Sequence, residues 1–246
     1  EEVGSPGLKA FCEAHKDELR ADVLIASDGP RLKPQLATVY LGTRGAMNFN
    51  LVADFRAGGH HSGNWGGLLA NPGVILAHAI ASIIDEHGRI QVEGWRPEIP
   101  GHVREVLTGI DRDGGPRSPK VDDYWGEPGL TRIEKISAFN SFEVLAFETG
   151  NPAKPVNAVP PKARAVCALR YVVGTDENAI ESNLRRHLDA KGFTNVKVEP
   201  PPASNNGRFY ASRTDHRHAW PQWVKGAVER NSNQPCGILP NGGGSN

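Results

Sequence analysis

Neither sign of charge is in excess in this 246-residue chain: 28 Lys and Arg balance 28 Asp and Glu, for a formal net charge of zero. That balance implies no strongly basic face and argues against nucleic acid as a partner. Cysteine is scarce. Cys12, Cys167 and Cys236 are odd in number and widely spaced, which excludes a disulfide framework and a zinc-finger spacing and points to a reducing, cytoplasmic compartment. Long apolar runs are missing as well. The longest, around Val74 to Ile84, is interrupted by His78 and Ser82 and is too short to span a bilayer, so no membrane partner is expected. The N-terminus carries no signal-peptide pattern. There is no internal repeat, no Gly-rich turn leading from a strand into a helix, and no phosphate-binding loop with its lysine. What is present, 38% hydrophobic residues, is enough for a packed core in one large domain or two small ones.

The apolar pattern divides the chain. Residues 5 to 20 predict an amphipathic helix with Leu8, Phe11, Cys12 and Leu19 on its buried face, and Val23-Leu24-Ile25-Ala26 predicts a short buried strand ending at Ser27-Asp28-Gly29. From Thr43 the pattern changes. Met47 to Phe55 alternates as a half-buried strand. Asn71-Pro72 opens a helix that Gly88 ends. Phe142 to Phe147 and Ala163 to Val172 follow as strands. Thr175 caps a helix with Ile180, Leu184 and Leu188 on one face, and Val196 to Val198 is a last short strand. The order β-α-β-β-α-β is the ferredoxin-like split arrangement, here with an insertion at about 94–140 that holds short helical pieces at best. Beyond Pro200-Pro201-Pro202 a helix over Trp220 to Glu229 and a strand stub at Ile238-Leu239 are expected. The fold class is therefore α/β. A central α+β domain at 43–200 is inserted between 1–42 and 201–246, two partial segments of one second domain.

Several residues carry candidate chemistry. Glu1 and Glu2 are adjacent carboxylates before a helix start, with Ser5 and Pro6 suited to its first turn. One can ligate a metal while its neighbour moves a proton, the division of labour that metal-assisted hydrolysis needs. Alone, such a pair is ordinarily a solvated surface feature. Asp28, at a predicted strand end one supersecondary unit later, is a third carboxylate, although a strand-end Asp more often caps a turn. His61, in Gly58-Gly59-His60-His61-Ser62-Gly63, can donate to a developing oxyanion or be an ordinary loop histidine. Arg170, in an otherwise apolar strand, suits a bidentate carboxylate clamp or a solvent face. Gly243, Gly244 and Ser245 offer backbone N–H groups and a hydroxyl to an anion, or simply a frayed end.

Taken in order, Glu1-Glu2-Val3-Gly4-Ser5-Pro6-Gly7-Leu8, Ser27-Asp28-Gly29, Arg44-Gly45, His61-Ser62-Gly63, Val159-Pro160 with Ala163, Leu169-Arg170 and Gly243-Gly244-Ser245 resemble the dinuclear zinc peptidases and deacylases. That family includes carboxypeptidase G, carnosinase-type dipeptidases, aminoacylase and succinyl-diaminopimelate desuccinylase. The set runs along nearly the whole chain and is most similar to the dipeptidase and carnosinase branch. The resemblance implies Glu1 as general base, Glu2 and Asp28 as ligands of one zinc each (Mn²⁺ or Co²⁺ being alternatives), and His61 polarising the scissile carbonyl in the other subunit's active site. It further implies Arg170 on the substrate's terminal carboxylate, with the Gly243-Gly244-Ser245 loop lining the same pocket. The central domain would be a lid pairing a homodimer through an edge strand and a helix, and the substrate a small peptide or N-acyl amino acid.

The chain also departs from the family pattern. The His-x-Asp segment and bridging Asp that precede the Glu-Glu pair, and the ligand His that follows the Gly-Gly-Ser loop, are not in it. His102, His187, His216 and His218 stand in other contexts. The expectation is therefore a fragment that binds no metal and is inactive by itself. The alternative is a non-catalytic ferredoxin-like dimerisation or ligand-binding module.

Overall fold

The architecture is that of a computed structural model and is described for residues 7–26, 36–111, 118–201 and 208–242. In chain order its elements are α1 (Leu8–Ala14), β1 (Ala37–Tyr40), β2 (Gly45–Asp54), β3 (His60–His61), α2 (Ser62–Trp65), α3 (Pro72–Ile83), α4 (Gly101–Leu107) and α5 (Arg132–Ser137). These are followed by β4 (Ser141–Thr149), β5 (Ala158–Val159), β6 (Lys162–Tyr171), α6 (Ile180–Ala190), β7 (Lys197–Glu199), β8 (Arg208–Phe209), α7 (Ala219–Ser232) and β9 (Cys236–Leu239).

Period-two alternation builds the main sheet. Phe49, Leu51 and Ala53 of β2 point to one face with Ala163, Ala165, Cys167, Leu169 and Tyr171 of β6, and all are buried. The helices α3 and α6 cover that face with Leu76, Ala79 and Ile83, and with Ile180, Leu184 and Leu188. The strand order is β4-β6-β2-β7, and the pairings along it are antiparallel. This is the sheet order of a ferredoxin-like β-α-β-β-α-β unit, as the hydrophobic pattern predicts. After the proline triplet the chain returns to the same edge: β8 pairs with β2 at Ala46 and Met47. The first and last described strands also meet, since β1 and β9 pair in parallel from Ala37↔Cys236 to Tyr40↔Leu239.

Local signals act much as their chemistry dictates. Asn71 caps α3, its Oδ1 accepting from Gly73 N at 2.9 Å and Val74 N at 3.4 Å, with Pro72 in the first turn. The helix ends at Ile83 rather than Gly88, because Ile84 is extended and bridges to Ile90, leaving Gly88 (φ 77°) to turn the chain. Thr175 does not cap α6. Ala179 precedes the helix without a side-chain bond, and Thr175 Oγ1 instead lies 2.9 Å from Asn140 Nδ2. The expected strand at Val23–Ala26 does not form, and Leu24 is 91% exposed. An apolar run becomes a strand only where a neighbour supplies a ladder, and none of the described residues does. The expected buried face of the first helix is exposed too at Leu8, Phe11, Cys12 and Leu19, for the same lack of a packing partner.

The insertion holds short helical pieces, α4 and α5, as its composition suggests, and it also packs into the core. Trp95 is fully buried among Phe49 and Phe142, its indole N–H donating to the Ile180 carbonyl at 3.1 Å. Thr131 and Glu134 form a reciprocal capping box on α5. A second small core joins Val103, Leu107, Ile133 and Ala138 to Leu239 of β9, so the insertion bridges the main sheet to the β1–β9 pair.

Candidate functional site

His61 stands on a two-strand ribbon beside the main sheet. His60 and His61 of β3 pair with Val159 and Ala158 of β5, and Ser62 N donates to Asn157 O at 2.8 Å. His60 turns to Trp65, with ring centroids 5.9 Å apart. His61 is exposed and caps the short α2, its Nδ1 accepting from Gly63 N at 3.2 Å. With Nδ1 acting as acceptor, the neutral ring carries its proton on Nε2 and presents an outward donor. Asn157, exposed beside this histidine, is a polar neighbour that the sequence pattern did not single out.

Arg170 lies near the far end of β6, between Ala46 of β2 and Ser141 of β4. Its alternation puts it on the face away from α3 and α6, where it is half-buried. Its carbonyl accepts from Arg44 Nη2 at 3.2 Å, and the same nitrogen donates to Phe139 O at 3.2 Å and Ser141 Oγ at 3.0 Å. Arg44 is buried, and its Nε finds no partner among the described residues. Burial first, and then the charge of Arg170, lowers its pKa to about 10. Glu143, on the rim of the same face, is raised by partial burial against the pull of Arg44. The neighbouring Gly45 is required by packing: a Cβ there would stand 2.2 Å from the Tyr171 ring. The Arg-Gly pair at a strand start was the available signal for Arg44, but its three backbone and hydroxyl contacts are tertiary.

These two candidates do not converge within one chain. The His61 ribbon adjoins the Lys162 end of β6, whereas Arg170 is eight steps along, about 26 Å at the rise of a strand. Glu1, Glu2, Asp28, Gly243, Gly244 and Ser245 lie outside the described residues. Gly242, the last described residue before the glycine run, bridges to Thr43, and its carbonyl accepts from Arg44 N at 3.4 Å. Among the described residues no group of three or more His, Cys, Asp or Glu side chains could hold a metal ion.

This sheet with two covering helices and an edge ribbon defines a ferredoxin-like α+β domain. Residues 41–195 match the M20 family's peptidase dimerisation domain, and the chain belongs to that family. It is similar to the cysteinylglycine-S-conjugate dipeptidase of Corynebacterium striatum, 26% identical over 209 residues covering 80% of this chain and 43% of that protein. It is also similar to the beta-Ala-His dipeptidase of Mus musculus, 31% identical over 208 residues covering 77% of this chain and 40% of the relative. Among solved structures, the M20 family metallo-carboxypeptidase Sso-CP2 from Sulfolobus solfataricus superposes with a TM-score of 0.76 at 25% identity, covering 100% of this chain and 56% of that one. The chain thus spans less than half the length of these two curated relatives. The family and the fold expected from the sequence are both borne out.

Proposed function

We propose that this chain is the lid-bearing part of a metal-dependent peptidase that hydrolyses a peptide or amide bond next to a free carboxylate, as a dipeptidase, carboxypeptidase or N-acyl amino acid deacylase does. In this reading 43–200 is the lid and 1–42 with 201–246 belong to the catalytic domain. Glu1 is the general base, Glu2 and Asp28 are metal ligands, Arg170 binds the substrate carboxylate, and Gly243, Gly244 and Ser245 line that pocket. Two divalent ions, zinc in the first instance, would lower the pKa of a bound water and stabilise the tetrahedral intermediate. The fragment alone is expected to hold no metal and to be inactive. The free thiols of Cys12, Cys167 and Cys236 accord with a reducing cytoplasmic setting, and no helix among the described residues is long and apolar enough to cross a membrane.

The observation that carries the reading is the separation of His61 from Arg170. A histidine beside the Lys162 end of β6, about 26 Å of strand from Arg170, cannot serve the same small substrate, which supports its acting in the site of a second copy. His61 then donates from Nε2 to the oxyanion in its partner's active site. Subunit mixing tests this in the complete enzyme. His61→Ala and Arg170→Ala enzymes are each expected to be nearly dead. Dimers exchanged between them should regain activity, because one of the two sites in each mixed dimer has both residues intact. No recovery in verified mixed dimers would sink the shared-site reading.

A further inference from the structure

Next to the Arg170 end of the sheet, a cavity of about 410 Å³ opens between the start of β4 and the insertion. Its size falls within the roughly 300–1,000 Å³ of small-molecule sites. Its outer wall is built, not incidental. The indole of Trp125 lies against Gly88, where a Cβ would stand 2.4 Å from the ring. Gly126 N donates to His87 O at 2.6 Å, and Lys135 Nζ donates to Trp125 O at 2.6 Å. Ile136 and Phe142 continue the apolar lining. Arg44 and Glu143 stand where the cavity meets the sheet, and Asp122, Asp123, Glu127, Arg132 and Lys135 are on its insertion side.

That junction ties the cavity to the carboxylate clamp. Ser141 is the register partner of Arg170, and Glu143 that of Ala168. Directly opposed residues on antiparallel strands share a face, so Ser141, Glu143 and Arg170 project from one side of the sheet. Arg44 bonds both Ser141 Oγ and the Arg170 carbonyl. The Arg44 guanidinium thus lies against the Arg170 backbone, near enough for the two charges to act on each other, and neither side chain has a carboxylate within ion-pair distance among the described residues. A substrate carboxylate would offset their repulsion, and the apolar cavity opens next to that point.

We infer that this cavity is the subsite for the aromatic or long apolar side chain of the residue whose carboxylate Arg170 holds. The inference rests on the proposed role of Arg170. It predicts a substrate class: peptides or N-acyl amino acids whose carboxylate-bearing residue is Phe, Trp or Leu rather than Gly or Ala.

The test uses the 246-residue chain titrated with N-acetyl-phenylalanine and N-acetyl-glycine and followed by NMR. The aromatic ligand should bind at least about tenfold more tightly, the scale set by filling an apolar pocket. Trp125→Ala, which removes an exposed wall, should erase most of that preference. Val121→Trp, which fills the cavity from another exposed position, should do the same, with circular dichroism verifying both folds. Arg170→Ala should weaken both ligands alike. Equal affinities that still depend on Arg170 would overturn the subsite and leave the clamp standing. A preference that survives both wall variants overturns the subsite as well. An aromatic preference indifferent to Arg170→Ala, or no binding of either ligand, overturns the subsite together with the clamp.

Discussion

Gly63 is held small by its neighbour. A Cβ at this position would meet His61 Cε1 at 2.9 Å and Nδ1 at 3.1 Å, so a side chain there must displace the imidazole or lose the N–H that fixes its tautomer. Under the proposed function, Gly63→Ala in the complete enzyme should leave the fold intact by circular dichroism while lowering kcat by about tenfold or more, the cost of moving a positioned donor by a fraction of an ångström. An unchanged kcat would remove His61 from the chemistry. The thiols also differ residue by residue. Burial pushes the Cys167 thiol up to about 12, and Cys236 shifts in the same direction. A thiol reagent at neutral pH should therefore modify exposed Cys12 and leave the other two unmodified until the chain unfolds. Among the site residues, His61 and Arg170 could be named from their types and contexts. Asn157 could not, because its place beside His61 depends on a pairing between strands almost one hundred residues apart.

At the scale of elements, hydrophobic periodicity located the strands and helices wherever both ends of the pattern meet a partner. The central strand β2 and the start of α3 lie where alternation and the Asn71 cap put them, and α6 buries the expected Ile180, Leu184 and Leu188 although Thr175 does not cap it. The pattern failed at Val23–Ala26 and along α1, where apolar residues have no described neighbour to pack against. The helix pair itself yields a pH prediction. His187 of α6 lies 2.8 Å from the Ser82 carbonyl of α3 through Nε2, a geometry in which the ring N–H donates. Burial first, and then the charge of Lys191, lowers its pKa against the help of that hydrogen bond. A folded pKa below the unfolded value near 6.5 favours the neutral ring. The contribution is therefore whole above that value and is lost as the pH falls through it toward the folded pKa. The thermal midpoint should drop between pH 7.5 and 5.5, and His187→Gln should flatten the drop. An identical pH profile in the variant would show that the ring plays no part.

For the whole molecule, β4 pairs on its outer edge with none of the described residues and carries Val144, Leu145 and Phe147 in exposed positions, with Val74 of α3 exposed as well. An apolar edge of this kind invites a second sheet, and a two-fold pairing would place one copy's strand beside the other's. Under the proposed function, light scattering should give a dimer. Leu145→Asp with Phe147→Asp should give a folded monomer, and a dimer that persists in the double variant would exclude this edge. The insertion belongs to the same scale. Its Pro, Gly and charge content suggested only short helical pieces, yet Trp95 completes the main core and Leu239 links α4 and α5 to β9. By itself the sequence determined the α/β class, the β-α-β-β-α-β order, the family and the two residue types suited to an oxyanion and a carboxylate, because these rest on local periodicity and short motifs. Only the tertiary structure decided that the His61 ribbon and Arg170 lie toward opposite ends of β6, that Arg44 bonds the Arg170 carbonyl, and that the insertion walls a cavity near it. Those facts depend on strand register and on contacts across long sequence separations, to which a local pattern is blind.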